Sequence, residues 1–162
     1  MIRYLRSLKN LKAPEWVMIA VIIATIAFIF TQSALAPEVS TAESNSTAEF
    51  ISKLISTDTI VGRFVFENVR KIAHFVEYGV LGIEIAVFVL LFVKIKKTAI
   101  PKTLIFSFFI AFIDESIQIF SDRGPSISDV WLDVSGYLTF SAITYLFAVA
   151  VGKFVKKIQS GR

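Results

Sequence analysis

Four apolar segments, each long enough to cross a lipid bilayer, dominate this 162-residue sequence. They cover residues 16–34, 72–93, 100–120 and 129–151, and about 20 apolar residues in a helix suffice to cross a hydrocarbon core ~30 Å thick. The chain is 55% apolar and contains 16 Phe, a composition that excludes an ordinary small soluble domain. The sequence therefore predicts an all-α integral membrane protein, with one domain over residues 1–162 and four transmembrane helices.

Basic residues outside these segments alternate with mixed or acidic stretches, and this alternation predicts the orientation. The three basic groups are Arg3, Arg6, Lys9 and Lys12; Lys94, Lys96, Lys97 and Lys102; and Lys153, Lys156, Lys157 and Arg162. Because Lys and Arg are enriched in cytoplasmic loops, we expect both termini to be cytoplasmic. The net charge of +4 is concentrated beside apolar segments, which fits an anionic lipid surface better than nucleic acid. We therefore expect membrane lipid as a partner and no nucleic acid.

The first outer connection, residues 37–71, has two parts that differ in composition. Residues 40–47 are rich in Ser, Thr and Glu and predict a solvated loop. Four apolar residues after it share one helical face, namely Phe50, Ile51, Leu54 and Ile55. Their spacing predicts a short amphipathic helix that lies on the outer membrane surface.

Polar side chains collect at the outward ends of the last three apolar segments, although a charge deep in a bilayer costs roughly 2.5 to 3.5 kcal/mol. They are Lys71, His74 and Glu77; Asp114, Glu115 and Gln118; Asp129 and Asp133; and Arg123 in the connecting loop. In the predicted orientation all of them lie in the outer half of the bilayer. Their helical phase allows three helices to present them in one outward-opening polar pocket, with Glu84 beneath it.

Some of these polar residues have alternative roles in helix stability. Asp129 can be an N-cap residue or the acidic residue of a capping box with Ser126. The sequence favours this capping role and a functional role equally. Arg70 fits an interfacial anchor whose long stem reaches the headgroups. Thr25 and Gln32 of the first span are seven residues apart, so they can form a fourth wall of the pocket.

Three ordered motifs carry the polar residues. They read Lys71-x-x-His74-Phe75-x-Glu77-Tyr78, Asp114-Glu115-x-x-Gln118 and Asp129-Val130-x-x-Asp133-x-x-Gly136, with Arg123 between the last two. In this order they resemble the VanZ-like family of small bacterial membrane proteins, and the resemblance covers most of the chain. It implies a multi-pass protein of the bacterial cytoplasmic membrane that is linked to glycopeptide resistance, notably to teicoplanin. The sequence has Asp133 where many members carry Asn, which adds a charge to the pocket.

Two classes of function fit this pocket, and the sequence leaves open whether the protein is an enzyme. In the first class, the pocket binds the headgroup of an envelope lipid or the polar part of a lipoglycopeptide. Its ligand-binding residues are Lys71, His74, Glu77, Gln118, Arg123, Asp129 and Asp133. In the second class, the protein is a membrane-embedded, metal-assisted hydrolase or transferase that acts on a cell-envelope lipid. Its catalytic candidates are His74, Glu77, Asp114 and Glu115, and the candidate ligands of a divalent cation are Asp114, Glu115 and Asp133.

Overall fold

The computed structural model describes residues 11–53, 55–56, 58–93, 96–121, 124 and 126–160. Within these residues the protein consists of six α-helices and has no β-strand, which confirms the predicted all-α fold. The helices are α1 (Ala13–Ala34), α2 (Pro37–Ser52), α3 (Ile60–Glu67), α4 (Val69–Phe92), α5 (Lys96–Phe120) and α6 (Ile127–Ser160).

Four of these helices contain apolar segments that can cross a membrane: α1, α4, the Ala99–Phe120 part of α5, and α6. This count confirms the four predicted spans in a multi-pass membrane protein. The helix of the fourth predicted span, α6, is longer than predicted: it runs to Ser160 instead of ending near residue 151. Its 34 residues are about 51 Å long, well beyond the ~30 Å hydrocarbon core. The additional turns after residue 151 contain Lys153, Lys156 and Lys157, and Lys favours the α-helix.

The connection between α1 and α4 is helical over much of its length, so the predicted solvated loop at residues 40–47 is wrong. Pro37 stands in the first turn of α2, where its fixed φ favours a helix start. Ser and Thr hydroxyls along α2 donate to backbone carbonyls one turn earlier, as Thr41 does to Pro37 at 2.7 Å and Ser44 to Ser40 at 2.9 Å. These local bonds satisfy polar side chains that the sequence alone associates with a loop.

The predicted surface helix at residues 50–55 is divided in the structure. Phe50 and Ile51 form the end of α2, which stops at Ser52, while Leu54 lies outside the described residues. A separate eight-residue surface helix, α3, follows with the Thr59 hydroxyl accepting the Gly62 amide at 3.0 Å. The apolar residues Ile60, Val61 and Phe64 of α3 are largely exposed, as expected for a helix that faces lipid headgroups.

The close approach of α4 and α6 positions the polar residues. Both helices carry glycines where they meet, and an added Cβ at Gly136 would lie 2.3 Å from the Phe75 carbonyl oxygen. On α4, an added Cβ at Gly82 would lie 2.4 Å from the Tyr137 carbonyl oxygen. Small residues of this kind let helix backbones approach closely in a membrane. Because Phe75 and Gly136 touch, their neighbours one turn or less away, including His74 and Asp133, face each other.

Candidate functional site

His74, Asp114 and Asp133 meet at the inner end of the polar region. The His74 Nδ1 atom lies 3.8 Å from Asp114 Oδ2 and 3.8 Å from Asp133 Oδ1. Both aspartates are fully buried, whereas the His74 side chain retains 15% exposure. Each residue lies five or six positions from the helix end on this side, a depth of about 8–9 Å at 1.5 Å per residue. Three separate helices therefore place an imidazole and two carboxylates at the same level.

Asp133 is the member of this trio whose carboxylate accepts no hydrogen bond from the described residues, and both of its oxygens are buried. The Asp114 carboxylate is buried as well, and the Ser33 hydroxyl of α1 interacts with it. The distances of 3.8 Å to His74 are too long for a hydrogen bond. The Tyr78 hydroxyl, which is also buried, has no partner in the described residues either. Buried polar groups are normally satisfied, so the Asp133 carboxylate and the Tyr78 hydroxyl make this region a candidate site.

Glu115, next to Asp114 in the sequence, is fully engaged in a different set of contacts. Its Oε2 accepts the backbone amide of Ser126 at 2.8 Å, and its Oε1 accepts the Gln118 side-chain amide at 2.8 Å. The Gln118 carbonyl oxygen in turn accepts the Arg70 guanidinium at 3.0 Å. This chain of contacts joins α4, α5 and the start of α6, and we call it the Arg70 network. Arg70 therefore belongs to the site and is not only the interfacial anchor that the sequence suggested.

A cavity of about 480 Å³ opens above the trio and the network, and we call it the polar cavity. Charged residues of both signs line it, together with amide side chains. Its polar lining consists of Glu67, Asn68, Arg70, Lys71, His74, Glu115, Gln118 and Asp129. His74 thus connects the buried aspartates with an open space that a ligand can occupy.

A second opening runs from the same region toward α1. A side cavity of about 180 Å³ shares Arg70 and His74 with the polar cavity and also reaches Gln32 and Glu77. Glu77 is in turn shared with a groove of about 390 Å³ between α1 and α4, which we call the apolar groove. The remaining lining of that groove is Val21, Ala24, Thr25, Phe28, Ile29 and Val80. Shared lining residues therefore link the charged cavity to an apolar groove on the lipid-facing side of the bundle.

Glu84 lies deeper and pairs with α1. Its Oε1 accepts the Thr25 hydroxyl at 2.8 Å. Glu77 lines the side cavity and the groove, so it too faces α1, whereas His74 faces α5 and α6. The sequence placed His74, Glu77 and Glu84 on one helical face, but the neighbouring helices divide that face between two directions. Thr25 and Gln32 do not line the polar cavity as their spacing suggested: Gln32 lines the side cavity, and Thr25 lines the apolar groove.

The predicted site residues are therefore distributed over adjoining parts of one region. Lys71, Gln118 and Asp129 line the polar cavity with His74 and Glu115, while Arg123 lies outside the described residues. Asp129 stands in the first turn of α6, which follows Ser126, and the Ser126 amide is bound by Glu115. The acidic partner of a capping box is thus provided by a neighbouring helix. Ser33 and Tyr78 are also fully buried in this region, although sequence reasoning assigned neither of them a role in the site. Tyr78 ends the first polar motif, and Ser33 is a hydroxyl residue in a largely apolar helix.

A family model described as VanZ/LLP1 matches residues 17–148, which is most of the chain and all three polar motifs. This match confirms the resemblance that the motifs carry. No curated protein and no solved structure matches the sequence.

Proposed function

Because the chain belongs to the VanZ/LLP1 family and has four helices that can cross a membrane, we propose that it binds an amphipathic molecule of the bacterial cell envelope. The ligand is an envelope lipid or a lipoglycopeptide, taken from the outer leaflet of the cytoplasmic membrane. Its polar part occupies the polar cavity, and its hydrocarbon part occupies the apolar groove.

One observation carries this proposal: the polar cavity and the apolar groove are linked through shared lining residues. Arg70 and His74 belong to both polar openings, and Glu77 belongs to the side cavity and the groove. Ligand sites normally combine apolar walls with a few placed polar groups. Here the polar groups stand at one end and the apolar walls at the other, which suits a molecule with a headgroup and a tail.

The charges of the polar cavity favour a headgroup that carries both signs. Arg70 and Lys71 offer donors to an anionic group, and Glu67 and Asp129 offer acceptors to a cationic one. A peptide-bearing envelope precursor and a glycopeptide both present such mixed charges. The family link to teicoplanin, whose lipid tail lies at the outer membrane face, fits the same arrangement. We therefore propose that the protein contributes to tolerance of glycopeptides that carry a lipid tail.

A binding experiment tests the groove directly. The protein is purified from bacterial membranes, and the lipids that remain attached are measured by native mass spectrometry. Ala24→Trp fills the groove and is expected to abolish retention, since Ala24 lines it. Ala27→Trp is the matched control, because Ala27 is also an exposed residue of α1 but does not line the groove. Equal retention by both variants and the unaltered protein would contradict the proposal.

An antibiotic-sensitivity experiment tests the proposed role in glycopeptide tolerance. Cells that express the protein are compared for sensitivity to teicoplanin and to vancomycin, which lacks the long lipid tail. We expect protection against teicoplanin alone, and its loss in the charge-removing variants Glu77→Gln, Asp114→Asn and Asp133→Asn. Equal sensitivity with and without the protein would refute the role in tolerance. Protection that survives in all three variants would show that the polar region is not responsible for it.

A second candidate function is a membrane-embedded hydrolase or transferase that acts on an envelope lipid. The observation that favours it is the position of His74 between two buried carboxylates, within reach of the polar cavity. An imidazole and carboxylates are common general acids and bases. Chromatography and mass spectrometry of envelope lipids, incubated with the protein or with His74→Gln, separate the two functions. A His74-dependent change in lipid mass indicates an enzyme, and recovery of unchanged lipid indicates a binding protein.

A further inference from the structure

We propose that His74, Asp114 and Asp133 form a binding site for one divalent cation at the inner end of the polar cavity. One ligand atom from each residue lies within 4.8 Å of the others, and the imidazole Nδ1 is 3.8 Å from both carboxylates. The three residues come from α4, α5 and α6, so no local sequence motif encodes the site.

The state of Asp133 is the independent observation that points to a cation. Its side chain is fully buried, and neither oxygen accepts a hydrogen bond from the described residues. Asp114 is equally buried, so two carboxylates share the same small volume. Buried carboxylates in proteins are paired, hydrogen-bonded or bound to a metal, because leaving them uncompensated is costly. An ion bound between them would compensate both.

The basic groups nearby do not meet this need. The Arg70 guanidinium donates to Gln118, within the Arg70 network. The Lys71 side chain is exposed at the wall of the polar cavity. Neither residue forms an ion pair with Asp114 or Asp133 in the described part of the chain, where His74 is the basic residue within 4 Å of both.

The donor set indicates a divalent transition metal, such as Zn²⁺ or Mn²⁺. One imidazole nitrogen with two carboxylate oxygens suits these ions, with bonds of about 2.0–2.2 Å. Donor atoms in a tetrahedral zinc site then stand about 3.4 Å apart, so the observed separations need only small side-chain rotations to close. Glu115, which the sequence offered as a ligand, does not belong to this group of three, and its two oxygens accept hydrogen bonds in the Arg70 network.

Three protein ligands leave coordination positions open, as in catalytic metal sites. His74 lines the polar cavity, so an open position would face the space where a headgroup binds. A phosphate oxygen of an envelope lipid is a suitable ligand for that position. This last step rests on the proposed function, whereas the cation site itself does not.

Equilibrium dialysis of the purified full chain, with metal measured by mass spectrometry after chelator treatment, tests the site. We expect one Zn²⁺ or Mn²⁺ per chain, and a loss of affinity of more than about 100-fold in Asp133→Asn, Asp114→Asn and His74→Gln. Glu49→Gln is the control, because Glu49 is an exposed acid of α2 that lies outside the polar cavity and the trio, and the metal affinity of this variant should be unchanged. Unchanged binding in Asp133→Asn, or no bound metal in the unaltered protein, would overturn the inference.

A thermal-unfolding measurement distinguishes a variant that has lost the metal site from one that fails to fold. The added metal should raise the melting temperature of the unaltered protein and leave that of Asp133→Asn unchanged. Without metal, Asp133→Asn should be about as stable as the unaltered protein, since it replaces one buried polar side chain with another of nearly the same shape. A metal-induced rise of equal size in both proteins would contradict the site.

The two proposals fail separately. Metal bound by the trio together with lipid retention that is insensitive to Ala24→Trp would refute amphiphile binding and leave the cation site standing. Lipid retention that depends on Ala24 in a protein without bound metal would refute the cation site and support amphiphile binding.

Discussion

The backbone amide of Ser126 donates to Glu115 Oε2 at 2.8 Å, so a carboxylate of α5 caps the start of α6. The neighbouring residue, Asp114, is fully buried, and its Oδ2 lies 3.8 Å from His74 Nδ1. Two adjacent acids on one helix therefore have different physical roles. Glu115 holds helices together through neutral donors, and Asp114 belongs to the trio that we propose binds a cation.

Removal of the Glu115 carboxylate should destabilise the protein. Glu115→Ala leaves the Ser126 amide and the buried Gln118 amide without their acceptor, at a cost of about 1–3 kcal/mol of unfolding free energy. The unfolding free energy of Glu115→Gln should fall between those of Glu115→Ala and the unaltered protein, because the Gln side chain keeps one acceptor oxygen. Denaturant titration in mixed micelles measures these differences. Glu49→Ala, at an exposed position of α2, is the control and should change stability by less than about 0.5 kcal/mol. Equal stability of Glu115→Ala and Glu49→Ala would show that the capping contact contributes nothing.

The sequence predicted the four membrane-spanning helices and the shared level of three polar residues well, because both depend on counting along a helix. His74 and Asp133 stand five and six residues after the start of their helices, and Asp114 stands six residues before the end of its own. Because these three helix ends lie on the same side of the bundle, the residues share one level. The end of α6 was missed, because apolar content stops near residue 151 while helix-favouring Lys residues continue.

The direction in which each polar side chain points was harder to predict. Helical phase alone puts His74, Glu77 and Glu84 on one face, but a face about 100° wide meets more than one neighbour in a bundle. The close contact at Gly136 decides that His74 turns toward Asp133, and the position of α1 decides that Glu84 meets Thr25. Both are tertiary relationships between distant segments, which a single sequence does not encode in local spacing.

The α4–α6 contact should be sensitive to a single methyl group. Gly136→Ala places a Cβ 2.3 Å from the Phe75 carbonyl oxygen, a backbone atom that cannot rotate away. We expect a loss of about 1–3 kcal/mol of unfolding free energy as the helices are forced apart. Gly152→Ala on the same helix is the matched control, since an added Cβ there meets nothing within 4 Å, and it should be neutral or gain up to about 1 kcal/mol. Equal effects at the two glycines, measured by denaturant titration, would contradict the close packing.

The hydrogen bond between Thr25 and Glu84 should appear as a coupling energy. Thr25→Val keeps the shape of the side chain but removes the hydroxyl that donates to Glu84 Oε1 at 2.8 Å. A double-mutant cycle with Glu84→Met should give about 0.6 kcal/mol, a typical value for a bond between membrane helices. Thr31→Val is the control, because its hydroxyl donates to the Ala27 carbonyl of its own helix and should show no coupling to Glu84. A coupling near zero at Thr25 would mean that α1 and α4 associate without this bond.

The orientation of the chain can be tested with single cysteines, because the sequence contains none. Basic groups before α1, around the α4–α5 connection and after α6 predict that these parts are cytoplasmic. A cysteine at Ser44, in α2, should therefore react with a membrane-impermeant maleimide in intact cells. A cysteine at Lys97 should react only after lysis, and the cysteine-free chain should not react in either condition. The opposite labelling pattern would place the polar cavity on the cytoplasmic side, where a ligand from the outer leaflet could not reach it.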